Sequence, residues 1–529
     1  MTNSTANKQI ARAAGTVMFA IVLGQLAGLV RGVLVARAFG ASPELDAFFA
    51  ANRVSETLFN LIAGGALGSA FIPTFTGFLA KRDRDSAWTL AASLARLVTL
   101  TLTGLAAIAA LFAPQIVRYA LAPGFAADPA LFSLTVDLLR IQLVSAILFG
   151  LGGLIVGVLN AHQIFLVPAL TPAMYQLGII FGAVVLAPSM GVHGLAWGVV
   201  IGAGFYLLLQ FPVLLKLLRN TQHATPISSP IPWLDSNTRH VLLLMVPRLL
   251  GVAVVQVNFW VNAYLASQMS EGSMSGLSFG FSLMLMAQAA IAQSVAIAAM
   301  PTFSAQHALG QRDEMRGSLA ATLRGVIFLA LPASLGLILL RQPLVSALYQ
   351  RGAFDARSTD LVAWALLWYA AGLVGHSIME VLTRAFYAQH DTKTPVIIGA
   401  VAMTLNVVFS LSFASLFTRL GWMPHGGLAF ANSLATALEA AALFIVMRKR
   451  LGGIEGGYIA RGFGQAALAA LGMSLALGLW NQVGGSWNRW LVALGGVAVG
   501  GIVYGLAMVA LRVPEVQSVI GFAMRKLKR

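Results

Sequence analysis

The chain has 529 residues, of which 58% are hydrophobic and only 10% are charged, and it contains no cysteine. A soluble protein would carry about 25% charged residues, and without cysteine there are no disulfides, catalytic thiols or cysteine-ligated metals. Apolar stretches of roughly 20 residues recur along the whole chain, each long enough to cross a bilayer. The composition therefore predicts an all-α polytopic membrane protein.

The predicted elements are fourteen transmembrane helices. The first is too long for a cleavable signal peptide and carries Arg31. Between the sixth and seventh helices, residues 219–237 are rich in Pro, Ser and Thr, which is typical of a linker. In chain order the helices are predicted at 13–38, 45–80, 87–112, 131–158, 164–187, 192–218, 238–268, 275–303, 315–340, 358–388, 394–418, 425–447, 462–482 and 490–511.

The net charge of +16 is distributed unevenly along this pattern. Most of the 34 Lys and Arg residues fall in the two termini and the even-numbered loops, and few fall in the odd-numbered loops. By the positive-inside rule both termini face the cytoplasm. The basic clusters at 81–84, 448–450 and 525–529 are then topology signals that can also touch anionic lipid headgroups. No nucleic-acid partner is predicted.

Three short motifs recur in the same order after about 228 residues. They are PTF (73–75 and 301–303), YALAPGF and YQRGAF (119–125 and 349–354), and NAHQIFLVP and YAQHDTKTP (ending at Pro168 and Pro395). Six helices separate the copies, which predicts parallel repeats of the kind that hold substrate between two transporter lobes. The expected parts are an N-terminal lobe (13–218), a cytoplasmic linker (219–237), a C-terminal lobe (238–448), two further helices (462–511) and a basic cytoplasmic tail (512–529).

Several arginines lie inside predicted helices, where each costs about 2.5–3.5 kcal/mol unless it faces protein or water. For most of them a structural role is the favoured interpretation, for example an i,i+3 ion pair between Arg140 and Asp137. The full set is Arg31, Arg37, Arg53, Arg96, Arg140, Arg248 and Arg324.

Arg31 and Arg53 form the exception. Each lies roughly 10 Å from the outer end of its helix, at 1.5 Å per residue. Matched depth on consecutive helices predicts a shared hydrated cavity, in which a guanidinium pair would bind a phosphate or diphosphate. The alternative is that both are neutralised locally, Arg53 by Glu56, and Arg31 or Arg37 by Asp46.

Motifs for catalysis or metal binding are missing from the sequence. There is no Gly-Lys pair, hence no Walker lysine, and no HExxH. No ATP hydrolysis, enzyme activity or bound cofactor is expected, although an ion gradient remains compatible with transport.

Five stretches, VARAFGASPELDAFFAANRV (35–54), AFIPTF (70–75), APGF (122–125), YQRGAFD (349–355) and RAFYAQHDTKTPV (384–396), resemble the MurJ/MviN family. These are bacterial lipid II flippases of the multidrug/oligosaccharidyl-lipid/polysaccharide exporter superfamily. The resemblance implies a MATE-like fold in the inner membrane, with the last two helices holding the lipid tail. It further implies that lipid II is moved from the inner to the outer leaflet by alternating access through a cationic cavity.

In the resemblance, Arg31, Arg37, Asp46 and Arg53 match charged positions of the family's first two helices. Where many members carry further cavity arginines, this chain has Gln25, Phe59-Asn60 and Ser282, and Gly64 replaces an acid. The implied substrate-binding set is completed by Gln25, Asn60 and Ser282, with Glu56 and Glu380 as gating or charge-partner residues.

The departures from the family pattern leave alternatives for the function. One is export of another polyprenyl-linked oligosaccharide or of a small amphipathic cation. Another is a non-transporting scaffold among the cell-wall synthesis proteins, which the resemblance also implies as partners of a flippase.

Overall fold

The computed structural model describes residues 3–62, 68–219, 236–515 and 517. All regular elements of these residues are helical, which confirms the predicted all-α class. The chain divides into two compact units. Unit 1 comprises Met1–Gly272 and Arg351–Ala353, and unit 2 comprises Ser273–Gln350 and Phe354–Arg529.

Unit 1 contains eight long helices among the described residues. Shorter helical turns lie at residues 113–127, and wide π-type turns lie at Gly182–Leu186. The eight helices are α1 (Asn3–Phe39), α2 (Pro43–Ile62), α3 (Gly68–Ala80), α4 (Arg84–Leu111), α5 (Pro129–Ala161), α6 (Leu166–Phe181), α7 (Val192–Arg219) and α8 (Ser236–Ala266).

Unit 2 contains ten helices among the described residues. They are α9 (Ser273–Gln288), α10 (Ser294–Ala308), α11 (Arg312–Leu339), α12 (Arg341–Tyr349), α13 (Ala356–Ala371), α14 (Leu373–Ala388), α15 (Lys393–Arg419), α16 (His425–Leu451), α17 (Gly456–Val483) and α18 (Arg489–Ala510).

Eleven helices of the described residues are long and apolar enough to span a membrane, and thirteen if each of two bent pairs is one span. The predicted second helix, 45–80, is α2 followed by α3, and residues 63–67 between them lie outside the described residues. The count of fourteen therefore stays a prediction. Most of the predicted linker (219–237) and of the basic tail (512–529) also lies outside the described residues.

The prediction of one continuous helix at 358–388 was wrong. The structure has α13 and α14, bent by 48° at Gly372. The hydroxyl of Ser433 on α16 donates to the carbonyl oxygen of Trp368 at 2.6 Å, and a Cβ on Gly372 would lie 2.4 Å from the Ser433 Oγ. A side chain inserted at this point both interrupts the backbone ladder and satisfies a freed carbonyl, which is a recognised cause of a kink.

Two smaller features of unit 2 were not predicted. The predicted helix 275–303 is found as one membrane-length span, Ser273–Ala308, in which a wide π-type turn at Ala289–Gln293 separates α9 from α10. The helix α12 (Arg341–Tyr349) lies in a predicted loop. Such short helices escape a search for apolar runs of membrane length.

Within unit 1, α6 and α7 meet through facing glycines, here called the glycine seam (Gly178, Gly182, Gly198 and Gly202). A Cβ on Gly178 would lie 2.1 Å from the Cα of Gly202, and one on Gly182 would lie 2.6 Å from the Cα of Gly198. Only residues without a side chain allow two helix backbones to approach so closely. The seam fixes α6, which carries part of the candidate site.

Helix α8 packs within unit 1. Val241 and Met245 are buried against α3, α4 and α5, in a core that includes Phe71 and Leu94. The repeat pattern predicts that this helix belongs to the C-terminal lobe, and the lobe boundaries stay a prediction. Its position within unit 1 brings α8 next to α2, and with it the aromatic residues described below.

Candidate functional site

Arg53 is held in place on α2 by two neighbours and by an aromatic ring of α8. Its Nη1 lies 2.8 Å from Oε2 of Glu56, one turn further along, and the two side chains are 29% and 42% exposed. The other carboxylate oxygen of Glu56 accepts a hydrogen bond from Asn52 at 2.7 Å. The guanidinium also lies over the ring of Phe259, 4.9 Å from its centroid. The predicted alternative, neutralisation of Arg53 by Glu56, is therefore what the structure shows.

A polar contact between α2 and α8 continues from this pair. The Thr57 hydroxyl accepts a hydrogen bond from the indole N–H of Trp260 at 2.8 Å and donates to the carbonyl oxygen of Arg53 at 2.7 Å. The side-chain oxygen of Gln256 lies 3.2 Å from the same hydroxyl. These bonds anchor α2 to α8 one turn beyond Arg53.

Arg31 is half-buried on α1 and has a different environment. Within the described part of the chain, no hydrogen bond or ion pair of its guanidinium is present. Helix α1 packs on α6 close to Arg31. A Cβ on Gly28, about one turn before Arg31, would lie 3.7 Å from Nε2 of Gln176. Both Arg31 and Glu56 act electrostatically on the hydroxyl of Tyr175, the neighbour of Gln176 on α6.

Tyr175 is therefore within electrostatic range of Arg31 and of Glu56, the ion-pair partner of Arg53. We call Arg31, Arg53, Glu56 and Tyr175 the arginine cluster. It contains two guanidinium groups and one carboxylate, so its formal charge is positive. Neighbouring groups hold Arg53 in one orientation, whereas the guanidinium of Arg31 has no hydrogen bond or ion pair within the described residues.

Asp46 and Arg37 form other contacts than those predicted. Asp46 is buried, and its Oδ2 accepts a hydrogen bond from the backbone amide of Gly272 at 2.8 Å. The side chain of Arg37 is exposed, and its carbonyl oxygen accepts from the amide of Ala353 at 2.9 Å. The expected neutralisation of Arg31 or Arg37 by Asp46 is therefore not what the structure shows. Both residues instead tie the α1–α2 region to loops of unit 1.

The remaining predicted site residues divide between the two units. In unit 1, Gln25 is exposed on α1 and Asn60 is half-buried on α2. In unit 2, the hydroxyl of Ser282 donates to its own helix, to the carbonyl oxygen of Ser278 at 2.8 Å. Glu380 lies 3.0 Å from Arg384, one turn along α14, so it is neutralised locally.

The structural role favoured for Arg324 of unit 2 is confirmed by its contacts. Arg324 is 2% exposed, and its Nε lies 2.8 Å from Oε1 of Glu515. Further nitrogens donate to the side chain of Gln465 at 3.0 Å and to the carbonyl oxygen of Tyr458 at 3.3 Å. The guanidinium therefore joins α11 to α17 and to the segment that follows α18. Likewise, Arg140 pairs with Asp137 on α5, at 3.8 Å.

Four residues that surround the predicted arginines were not predicted. They are Tyr175, Gln256, Phe259 and Trp260, which carry no charge, whereas the candidates were selected by charge or by match to the family pattern. Gln256 offered a signal, since an amide in an apolar helix needs a hydrogen-bonding partner. The aromatic residues offered no such signal, because Phe, Tyr and Trp are also common in the cores of helical proteins.

Among the described residues there is no group of three or more His, Cys, Asp or Glu side chains able to hold a metal ion.

Comparisons with a family model and with known relatives agree on one family. A family model described as "Lipid II flippase MurJ" matches residues 35–494. The lipid II flippase MurJ of Burkholderia cenocepacia is 32% identical over 444 residues, covering 83% of this chain and 84% of the relative.

Solved structures agree on the fold. A lipid II flippase MurJ in an inward closed conformation has a TM-score of 0.78 at 24% identity, covering 95% of this chain and 99% of that one. An inward-facing MATE family transporter of the MOP superfamily has a TM-score of 0.63 at 14% identity, covering 83% and 98%. The MATE-like architecture is thus confirmed, and the chain is a multi-pass membrane protein. With a family model over most of its length and a relative above 30% identity, the chain belongs to the lipid II flippase MurJ family, whose members are transporters rather than enzymes.

Proposed function

We propose that this protein flips lipid II from the inner to the outer leaflet of the bacterial inner membrane. Family membership over residues 35–494 supports the proposal, as does the name of the Burkholderia relative. The observation that carries it at the level of residues is Arg31, a half-buried cation of α1 for which the described residues supply no carboxylate.

The chemistry of the arginine cluster suits a diphosphate. A cation at membrane depth without a counter-charge is costly, and an anionic ligand removes that cost. Guanidinium groups bind phosphate oxygens bidentately, with directional and charge-assisted hydrogen bonds. Glu56 offsets one of the two positive charges and keeps Arg53 oriented. The cluster therefore keeps a net positive charge that attracts an anion, while only one of its two cations lacks a counter-charge.

Transport through the membrane then requires that access alternates between its two faces. We infer that the membrane potential or an ion gradient drives the cycle, because the sequence has no ATP-binding motif. A charge that moves with the cycle responds to the potential by about 2.3 kcal/mol per 100 mV. Both termini are placed in the cytoplasm by the distribution of Lys and Arg, and cell-wall synthesis proteins are the expected partners.

Complementation of a strain depleted of its own lipid II flippase tests the proposal. Arg31→Ala and Arg53→Ala should each abolish rescue while the protein still accumulates in the membrane. Arg140→Ala is the matched control, because it removes a helix arginine of the same unit whose partner Asp137 is exposed. Rescue by both cluster variants at the level of the control would contradict the role of the cluster. Failure of the unaltered protein to rescue would contradict lipid II as its substrate.

One observation favours a second candidate, the export of a different polyprenyl-diphosphate-linked glycan. Phe59 stands where many family members carry an arginine, and its ring packs on that of Phe149, with centroids 5.1 Å apart. That position therefore belongs to an aromatic cluster and not to a cationic surface. Binding of purified protein to lipid II and to other polyprenyl diphosphates would decide between the two, by which ligand binds more tightly.

A further inference from the structure

A cavity of about 330 Å³ lies in unit 2, at the ends of α10, α11, α14 and α16. It is lined by two arginines, Arg312 and Arg450, together with His307, Gln311 and Gln389. These residues are distinct from the arginine cluster of unit 1. Gln306 also lines the cavity, none of the described residues that line it is acidic, and its two guanidinium groups are donors only, which indicates an anionic ligand.

Arg450 is held in a fixed orientation beside the cavity. Its Nη2 lies 2.6 Å from Oδ2 of Asp391, and its guanidinium lies over the ring of Phe386 at 5.1 Å. The Asp391 carboxylate also accepts from the Thr394 hydroxyl at 2.6 Å and from the backbone amides of Lys393 and Thr394, each at 3.0 Å. Because the start of α15 shares this carboxylate, Asp391 only partly offsets Arg450, whose other N–H groups remain for a ligand.

Arg312 supplies a second cation. It is the first residue of α11, it is exposed, and it has no ion pair within the described part of the chain. Two guanidinium groups, one oriented by its neighbours and one exposed, can together surround a phosphate.

Exposed apolar residues lie close in sequence to the lining residue Gly310 and to Asp391, the partner of Arg450. Leu309, next to the lining residue Gly310, is 72% exposed. Val396 and Ile397, in the first turn of α15, are 48% and 63% exposed. Exposed aliphatic side chains close in sequence to a basic pocket suit a ligand that is both anionic and lipidic, whereas a free phosphate ion would make no use of them.

We propose that this cavity binds the phosphate of an anionic phospholipid headgroup. Basic pockets between transmembrane helices on the cytoplasmic side are typical sites for such headgroups, and the predicted topology places these loops on that side. The proposal is independent of the proposed flipping of lipid II, because it concerns other residues and is tested by binding alone.

Native mass spectrometry of the purified protein, titrated with phosphatidylglycerol or with phosphatidylcholine, tests the site. Arg312→Gln should lower phosphatidylglycerol occupancy about fivefold and leave phosphatidylcholine unaffected, while Arg312→Lys should retain most of the binding. Lys449→Gln is the matched control, because it removes one positive charge from the same helix end as Arg450 but does not line the cavity.

The outcomes separate specific binding from its alternatives. Equal losses in R312Q and K449Q would show general attraction to a basic surface and would overturn the site. Competition by inorganic phosphate at equal concentration would assign the site to a free anion and overturn the lipid. Circular dichroism of R312Q should match the wild type, since the altered side chain is exposed.

Discussion

A half-buried guanidinium and a fully buried one differ in this protein by what surrounds them. Arg324 is enclosed by an acid, an amide and a carbonyl oxygen, together with the rings of Phe328 and Tyr458. Arg31 has no such partners among the described residues. Burial with partners indicates a structural role, and burial without them indicates a ligand. The contrast therefore separates two residue types that look alike in the sequence.

Arg324→Met should destabilise the protein by about 2–4 kcal/mol, because it leaves Glu515 and Gln465 without their shared partner. Thermal unfolding in detergent measures the effect. Arg140→Met removes an exposed pair on α5 and should change stability by less than about 1 kcal/mol. Equal decreases of the unfolding temperature in the two variants would show that the buried network contributes no more stability than a surface ion pair.

Asp391 makes stability depend on pH. Burial by itself would raise the pKa of Asp391, but hydrogen bonds from Thr394 and Arg450 outweigh it and lower that pKa to about 2. Since the folded pKa is below the unfolded value of about 3.9, the stabilisation is present above that value and disappears as the pH falls towards 2.

Asp391→Asn should therefore be less stable than the wild type near neutral pH, and the difference should vanish in acid. Unfolding transitions recorded across this pH range measure it. Asp313→Asn provides the control, because that carboxylate is 91% exposed and contributes little at any pH. A difference that stays constant with pH would refute the role of the charged carboxylate.

At the scale of helices, the glycine seam between α6 and α7 allows a direct test. Gly178→Ala places a methyl group 2.1 Å from the Cα of Gly202, so the helices must separate, at a cost of about 1–3 kcal/mol. Gly204→Ala on α7 meets nothing within 4 Å and should be neutral or slightly stabilising. Comparing the yields and unfolding temperatures of the two variants tests close packing against a general effect of alanine.

Regular helices of this fold are predictable from apolar runs, and their breaks are not. The predictions 192–218, 394–418 and 425–447 correspond to α7, α15 and α16 within a few residues. The bend at Gly372 escaped because it depends on Ser433, which is distant in sequence and becomes adjacent only after folding.

The residues of the candidate site were likewise predictable only in part. Arg31 and Arg53 could be selected because charge in an apolar helix is costly. Their surroundings could not, since the positions of Tyr175 and Trp260 follow from how α6 and α8 pack. Pairing was predictable only over short sequence distances, as for Arg53 with Glu56. The contact of Asp46 with Gly272 lies beyond that range.

At the scale of the whole molecule, the absence of cysteine makes the predicted topology testable by single-cysteine labelling. Ala127→Cys lies in an exposed loop predicted to face outward, and Lys449→Cys lies at a helix end predicted to face inward. A membrane-impermeant maleimide should label the first in intact spheroplasts and the second only after permeabilisation. The reverse pattern would invert the orientation on which the inner-to-outer direction depends.

The glycine seam also limits how this protein can change during evolution. A larger residue at Gly178 cannot be offset by a smaller one at Gly202, because glycine is already the smallest amino acid. Suppressors of a damaging substitution there are expected to be reversions or changes elsewhere that tolerate a wider helix spacing. Random mutagenesis should therefore recover these four positions almost unaltered among functional variants.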